Sequence, residues 1–122
     1  GPLERQALAR VRALQKPGRP DLLRQIVQMY LRNAPQLLET MHNAVAQGDA
    51  RALQRAAHSL KSSSGNVGAQ QVAALCQQLE TLSRGCSLTQ AAALLTACEA
   101  AYTLVRPALE AAIQQTTGQE CG

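Results

Sequence analysis

The residues of this 122-residue chain that could do chemistry crowd into one stretch, Ala57-His58-Ser59-Leu60-Lys61-Ser62-Ser63-Ser64-Gly65-Asn66-Val67-Gly68-Ala69. A histidine, a lysine three residues later and a run of very small residues meet there. On a helix, Gln54, His58, Lys61, Ser62 and Gly65 fall on one face, and Leu53, Ala57, Leu60 and Ser64 on the neighbouring one. The second set suits a core. The first points an imidazole at solvent with little bulk around it. A neutral imidazole is nucleophilic through either ring nitrogen. A nucleophile that attacks phosphorus needs open approach and cationic help for the phosphoryl oxygens. Lys61, one turn on, can supply a charge-assisted contact. Ser62 and Gly65 leave space, while Arg51 and Arg55 on the adjacent surface favour an acidic docking partner. Charge and geometry together suit a phosphoryl acceptor.

Other chemistries find no support. With two histidines and eight carboxylates scattered along the chain, no Ser/His/acid set and no carboxylate pair at helical spacing stands out. No glycine-rich phosphate loop follows a strand. His42 reads as a plain surface side chain, and no metal site is expected from His42, His58 and the cysteines. Cys76, Cys86, Cys98 and Cys121 form no CxxC pair; free thiols are expected, with Cys76 and Cys98 on apolar helix faces.

The elements that must position this stretch are helical. There is no Trp or Phe and there are two Tyr, so any core is aliphatic. Ala, Leu, Gln and Arg are good helix formers. The formal net charge of +4 is confined to the start of the chain: residues 1–20 carry Arg5, Arg10, Arg12, Lys16 and Arg19 against Glu4, and the remainder is balanced. A neutral body argues against non-specific nucleic-acid binding. No apolar run has the length of a membrane span.

In chain order, Gly1-Pro2 looks like a tag-cleavage scar, which makes the chain a candidate fragment of a longer protein. Residues 1–19 are expected to hold that scar, a short basic amphipathic helix over 3–15 and a Pro/Gly linker. Asp21 can cap a helix whose apolar stripe runs Leu22, Leu23, Ile26, Val27, Tyr30, Leu31, Ala34, Leu37, Leu38, Met41 and Val45, with Pro35 bending rather than ending it. Gly48-Asp49 stops that helix and caps the next, which carries His58 and fades through Ser64-Gly65-Asn66. Gly68 makes the turn into a helix with Val72, Leu75, Cys76, Leu79 and Leu82 on one side, ending at Arg84-Gly85. Ser87 is expected to cap a last long helix with Leu88, Leu95, Tyr102 and Leu109 at heptad spacing as core, bent at Pro107. Short connections predict an all-α fold, an antiparallel up-down-up-down four-helix bundle over residues 20–116 with a short extra N-terminal helix and a frayed tail at 117–122.

The stretch from Ala57 to Ala69 resembles the signature of histidine-containing phosphotransfer (HPt) domains, A-H-x-L-K-G/S followed by G-A, and the likeness continues through Leu75-Cys76-Gln77-Gln78-Leu79-Glu80. The resemblance implies phosphorylation of His58 on Nε2, with the phosphoryl group taken from one receiver-domain aspartate and handed to another. It implies an upstream histidine kinase, Mg²⁺ and most of the catalytic machinery on the receiver partner, and no cofactor of the chain's own. Lys61 matches the family lysine. Glu80 matches a position that can accept a hydrogen bond from the histidine Nδ1–H, although read alone it is a helix-surface carboxylate. Ser62 stands where glycine is commonest. Arg51, Gln54, Arg55, Ser62 and Gly65 are the expected partner-binding surface.

Three functions follow. The first is a monomeric cytoplasmic phosphorelay module, for instance the C-terminal domain of a hybrid sensor kinase and so the cytoplasmic part of a membrane-bound kinase. The second is the phosphoacceptor domain of a chemotaxis-type histidine kinase, which the flanking residues of the full gene would identify. The third is a non-catalytic helical adaptor that binds a receiver domain.

Overall fold

The computed structural model describes residues 22–85 and 88–121, with side chains described as far as Gln114. Four helices make up the described chain: α1 (Leu22–Gln47), α2 (Ala50–Asn66), α3 (Gln70–Arg84) and α4 (Ala91–Cys121). There is no strand among the described residues. Consecutive helices pack on one another, and α4 closes the ring against α1. Together with the short turns this is the antiparallel up-down-up-down bundle. The N-terminal helix expected over 3–15, its linker and the caps at Asp21 and Ser87 lie outside the described residues.

Two glycine turns reverse the chain around α2. At the end of α1 the Gly48 N–H bonds to the Val45 carbonyl and the Asp49 N–H to that of Ala44, with Gly48 at φ +71°. At the end of α2 the same pattern recurs: Gly68 bonds to Gly65 and Ala69 to Ser64, with Gly68 at φ +79°. Both are Schellman stops, in which a left-handed residue lets two late N–H groups satisfy otherwise orphaned carbonyls. Asp49 then caps α2, its carboxylate accepting the Ala52 N–H at 3.1 Å. The helix carrying His58 is therefore set in length at both ends.

Apolar residues at three- and four-residue spacing line the interior: Leu23, Val27, Tyr30, Ala34, Leu38, Met41 and Ala44 of α1, and Leu53, Ala56, Ala57 and Leu60 of α2. Val72, Cys76 and Leu79 of α3 and Leu95, Cys98, Val105 and Leu109 of α4 are buried in the same core. Cys76 and Cys98 are buried free thiols with sulfurs 3.6 Å apart. The contact with Cys98, together with burial, keeps the Cys76 thiol well above its ordinary range.

Both long helices run unbroken through their prolines. Pro35 has no N–H to offer the Leu31 carbonyl, and the Tyr102 hydroxyl lies 3.5 Å from that oxygen as a substitute donor. The last helix begins at Ala91 rather than just after Ser87. Leu88 is held instead in a turn, its carbonyl accepting the Ala91 N–H at 3.1 Å, and packs against the core from there. The α4 backbone stays helical to Cys121, past residue 116 where a frayed tail is expected.

A buried polar contact ties α1 to α2: the Tyr30 hydroxyl and Ser64 Oγ are 2.8 Å apart and both residues are buried. Burial holds the Tyr30 phenol well above its ordinary range, so it stays a neutral hydrogen-bonding group. Ser64→Ala should cost about 1–3 kcal/mol by leaving the phenol unpaired. Adding Tyr30→Phe should recover most of that loss. Urea melts of the two single variants and the double variant check this, and costs that simply add would contradict it.

Candidate functional site

His58 projects from the middle of α2, between buried Ala57 and exposed Ser59, with 60% of its side chain accessible. The periodicity that buries Leu53, Ala57, Leu60 and Ser64 puts it outside, as their spacing requires. Glu80 reaches it from α3: Nδ1 of His58 and Oε2 of Glu80 are 3.2 Å apart. The same carboxylate accepts from Lys61 Nζ at 2.8 Å on Oε1 and from Arg84 Nη2 at 2.9 Å on Oε2. Glu80 is thus the hub at which α2 and α3 exchange charge.

Glu80 stands within reach of Nδ1, where the family resemblance puts a hydrogen-bond acceptor, and it is not the plain helix-surface carboxylate of the alternative reading. Its side chain is only 4% accessible, because His58, Lys61 and Arg84 cover it. Helical spacing alone cannot show that cover, since two of the three covering side chains belong to another helix. The Lys61 ammonium beside Glu80 holds its carboxyl below the usual carboxylate range, the His58 contact works in the same direction, and burial opposes both. An ionised carboxylate only accepts hydrogen bonds, so the proton of a neutral His58 sits on Nδ1. Nε2 is left with its lone pair free.

Lys61 is likewise less free than expected. Its side chain is 27% accessible, and it also donates to Gln77 Oε1 at 3.0 Å. On the N-terminal side of His58, Arg51, Gln54 and Arg55 line an open depression of about 650 Å³ together with His58, Ser59 and Glu80. Ser62 and Gly65 do not line it and lie further along α2. A Cβ built on Gly65 would meet nothing within 4 Å, so the glycine leaves open surface rather than relieving a clash. His42 lies away from the site, in a cleft between α1 and α4 with Glu39, Glu99 and Arg106. Sequence inspection passed over Arg84 and Gln77, although Gln77, Glu80, Thr81 and Arg84 form one stripe at helical spacing.

No group of three or more His, Cys, Asp or Glu residues that could hold a metal is found among the described residues. None of the described helices is long and apolar enough to cross a membrane. The arrangement offers one accessible nitrogen nucleophile, a fixed tautomer and adjacent positive charge.

Comparison with known proteins agrees with this geometry. The model of the family described as Hpt domain matches residues 25–117. Among solved structures, histidine-containing phosphotransfer protein B from Pseudomonas aeruginosa is similar, with a TM-score of 0.80 and 32% identity, over 93% of this chain and 96% of that one. No curated protein matches the chain.

The lowered Glu80 acidity has a sign that can be measured. A depressed folded-state value stabilises the fold above the ordinary value of 4.5, and that contribution drains away as pH falls below it. Because the cationic partners are partly solvent-screened, Glu80→Gln should lower the melting temperature at pH 7 by only about 2–4 °C. The gap should close towards pH 3. A gap unchanged at pH 3 would mean that the carboxylate charge is not what stabilises the wild type.

Proposed function

This chain belongs to the Hpt domain family and is a histidine phosphotransfer intermediate of two-component signalling; from that premise we propose that His58 is its phosphoacceptor. The observation that carries the assignment is the His58–Glu80 contact, which occupies Nδ1 and leaves the accessible Nε2 as nucleophile. The Nε2 lone pair attacks phosphorus of an aspartyl phosphate on a receiver domain. The N–P bond forms as the P–O bond to aspartate breaks, and the aspartate leaves as carboxylate with the electron pair. The Nδ1–H stays in place, and the positive charge that grows on the ring faces the Glu80 carboxylate. Reversal of these steps on a second receiver passes the group on.

Lys61 is assigned to the phosphoryl oxygens. Two of its three N–H groups are engaged by Glu80 and Gln77, which leaves one for an incoming oxygen. Arg51 and Arg55, with Gln54, form a basic rim suited to the acidic active site of a receiver, and Ser62 and Gly65 offer low relief on the other side. Mg²⁺ is assigned to the receiver, since transfer needs a cation at the acyl phosphate and this site presents basic side chains instead.

Hpt domains partner with receivers and kinases in general. For this chain we assign a monomeric cytoplasmic module in a relay of the hybrid-sensor-kinase type. The likeness to a phosphotransfer protein matched over 96% of its length supports a phosphotransfer module over the phosphoacceptor domain of a chemotaxis-type kinase.

Incubation with a ³²P-labelled receiver should place acid-labile, base-stable label on the wild type and none on His58→Gln. Label that persists in the variant would overturn the assignment. Lys61→Ala should still be labelled, about tenfold more slowly, with helical circular dichroism retained. Loss of the helical signal would show that Lys61 is structural rather than catalytic.

A further inference from the structure

The site holds its lysine with more than a carboxylate. Gln77, one turn before Glu80 on α3, accepts from Lys61 Nζ through Oε1 at 3.0 Å. Its amide nitrogen donates to Thr81 Oγ1 at 3.1 Å, on the same helix. An amide can turn either end towards a neighbour. Here the Thr81 hydroxyl occupies the NH₂ end, so the oxygen faces the ammonium. Lysine carries its charge on a flexible four-carbon stem with three rotatable donors. A single acceptor would let that ammonium swivel about Glu80, whereas two acceptors on one rigid helix define where the third N–H points.

We propose that Gln77, oriented by Thr81, is a positioning residue that aims the Lys61 ammonium at a phosphoryl group on His58. The proposal rests on the assignment of His58 as acceptor and adds a residue that touches neither the phosphoryl group nor the imidazole. Gln77 is solvent-exposed and contributes nothing to the core, so its role is separable from folding. Its influence should appear in the rate of transfer within the docked pair, not in the affinity for the receiver.

Single-turnover transfer from a phosphorylated receiver, measured across receiver concentrations, tests this. Gln77→Ala should lower the saturating transfer rate roughly three- to tenfold while half-saturation and melting temperature stay near wild type. Gln77→Glu, which keeps an acceptor oxygen, should stay within about twofold of wild type. In a Lys61→Ala background, Gln77→Ala should cause no further loss, because its effect passes through the lysine. An unchanged rate in Gln77→Ala, a loss confined to half-saturation, or a full additional loss in the Lys61→Ala background would overturn the proposal while His58 remains labelled. Failure of the wild type to take label at all would overturn the phosphoacceptor assignment, and this proposal with it.

Discussion

Everything at this site hangs on one carboxylate. Glu80 sits where α2 meets α3 and accepts from His58, Lys61 and Arg84 at once. Those contacts do three things. They keep the group ionised, they fix which imidazole nitrogen holds the proton, and they gather positive charge beside the nitrogen left free. A neutral amide there could accept from Nδ1, but would not draw in two further cations or balance charge growing on the ring. An isolated buried carboxylate would cost several kcal/mol and would protonate instead. Its cover of cationic side chains, with their own outer surfaces in water, avoids that cost.

The bundle is the frame that makes such a hub possible. Residues His58 and Glu80 are 22 positions apart, and their contact depends on the angle and register of α2 against α3. Leu53, Leu60 and Leu79 are fully buried and set that register, since close-packed aliphatic cores tolerate little sliding. The two glycine stops fix where α2 begins and ends relative to its neighbours. Behind it, the Tyr30–Ser64 bond ties the later turns of α2 to α1. Function therefore occupies one face of two helices, and the rest of the chain supplies stiffness.

Much of this was legible before any coordinates. The exposure of His58 and the burial of Leu53, Ala57, Leu60 and Ser64 follow from helical period. Gly48, Asp49 and Gly68 announce turns and caps through their own conformational chemistry. What was not legible depends on side chains meeting across helices. Glu80 looks like any surface carboxylate until α2 lays His58 and Lys61 over it. Tyr102 reads only as a heptad core residue, and its approach to the carbonyl that Pro35 leaves without a donor cannot be foreseen from spacing. The start of α4 was missed because Ser87 is a good cap in isolation, whereas the turn at Leu88 is held by tertiary burial.

The claim that Glu80 sets the tautomer, and so selects the nitrogen that reacts, can be examined in the protein alone. Long-range ¹H–¹⁵N correlation spectra of the His58 ring, recorded at neutral pH and again after chemical phosphorylation with phosphoramidate, read both states directly. In the uncharged form of the ring the account predicts the proton on Nδ1, and after reaction it predicts phosphorus bonded to Nε2. A ring protonated on Nε2 at rest, or phosphorus on Nδ1, would contradict it.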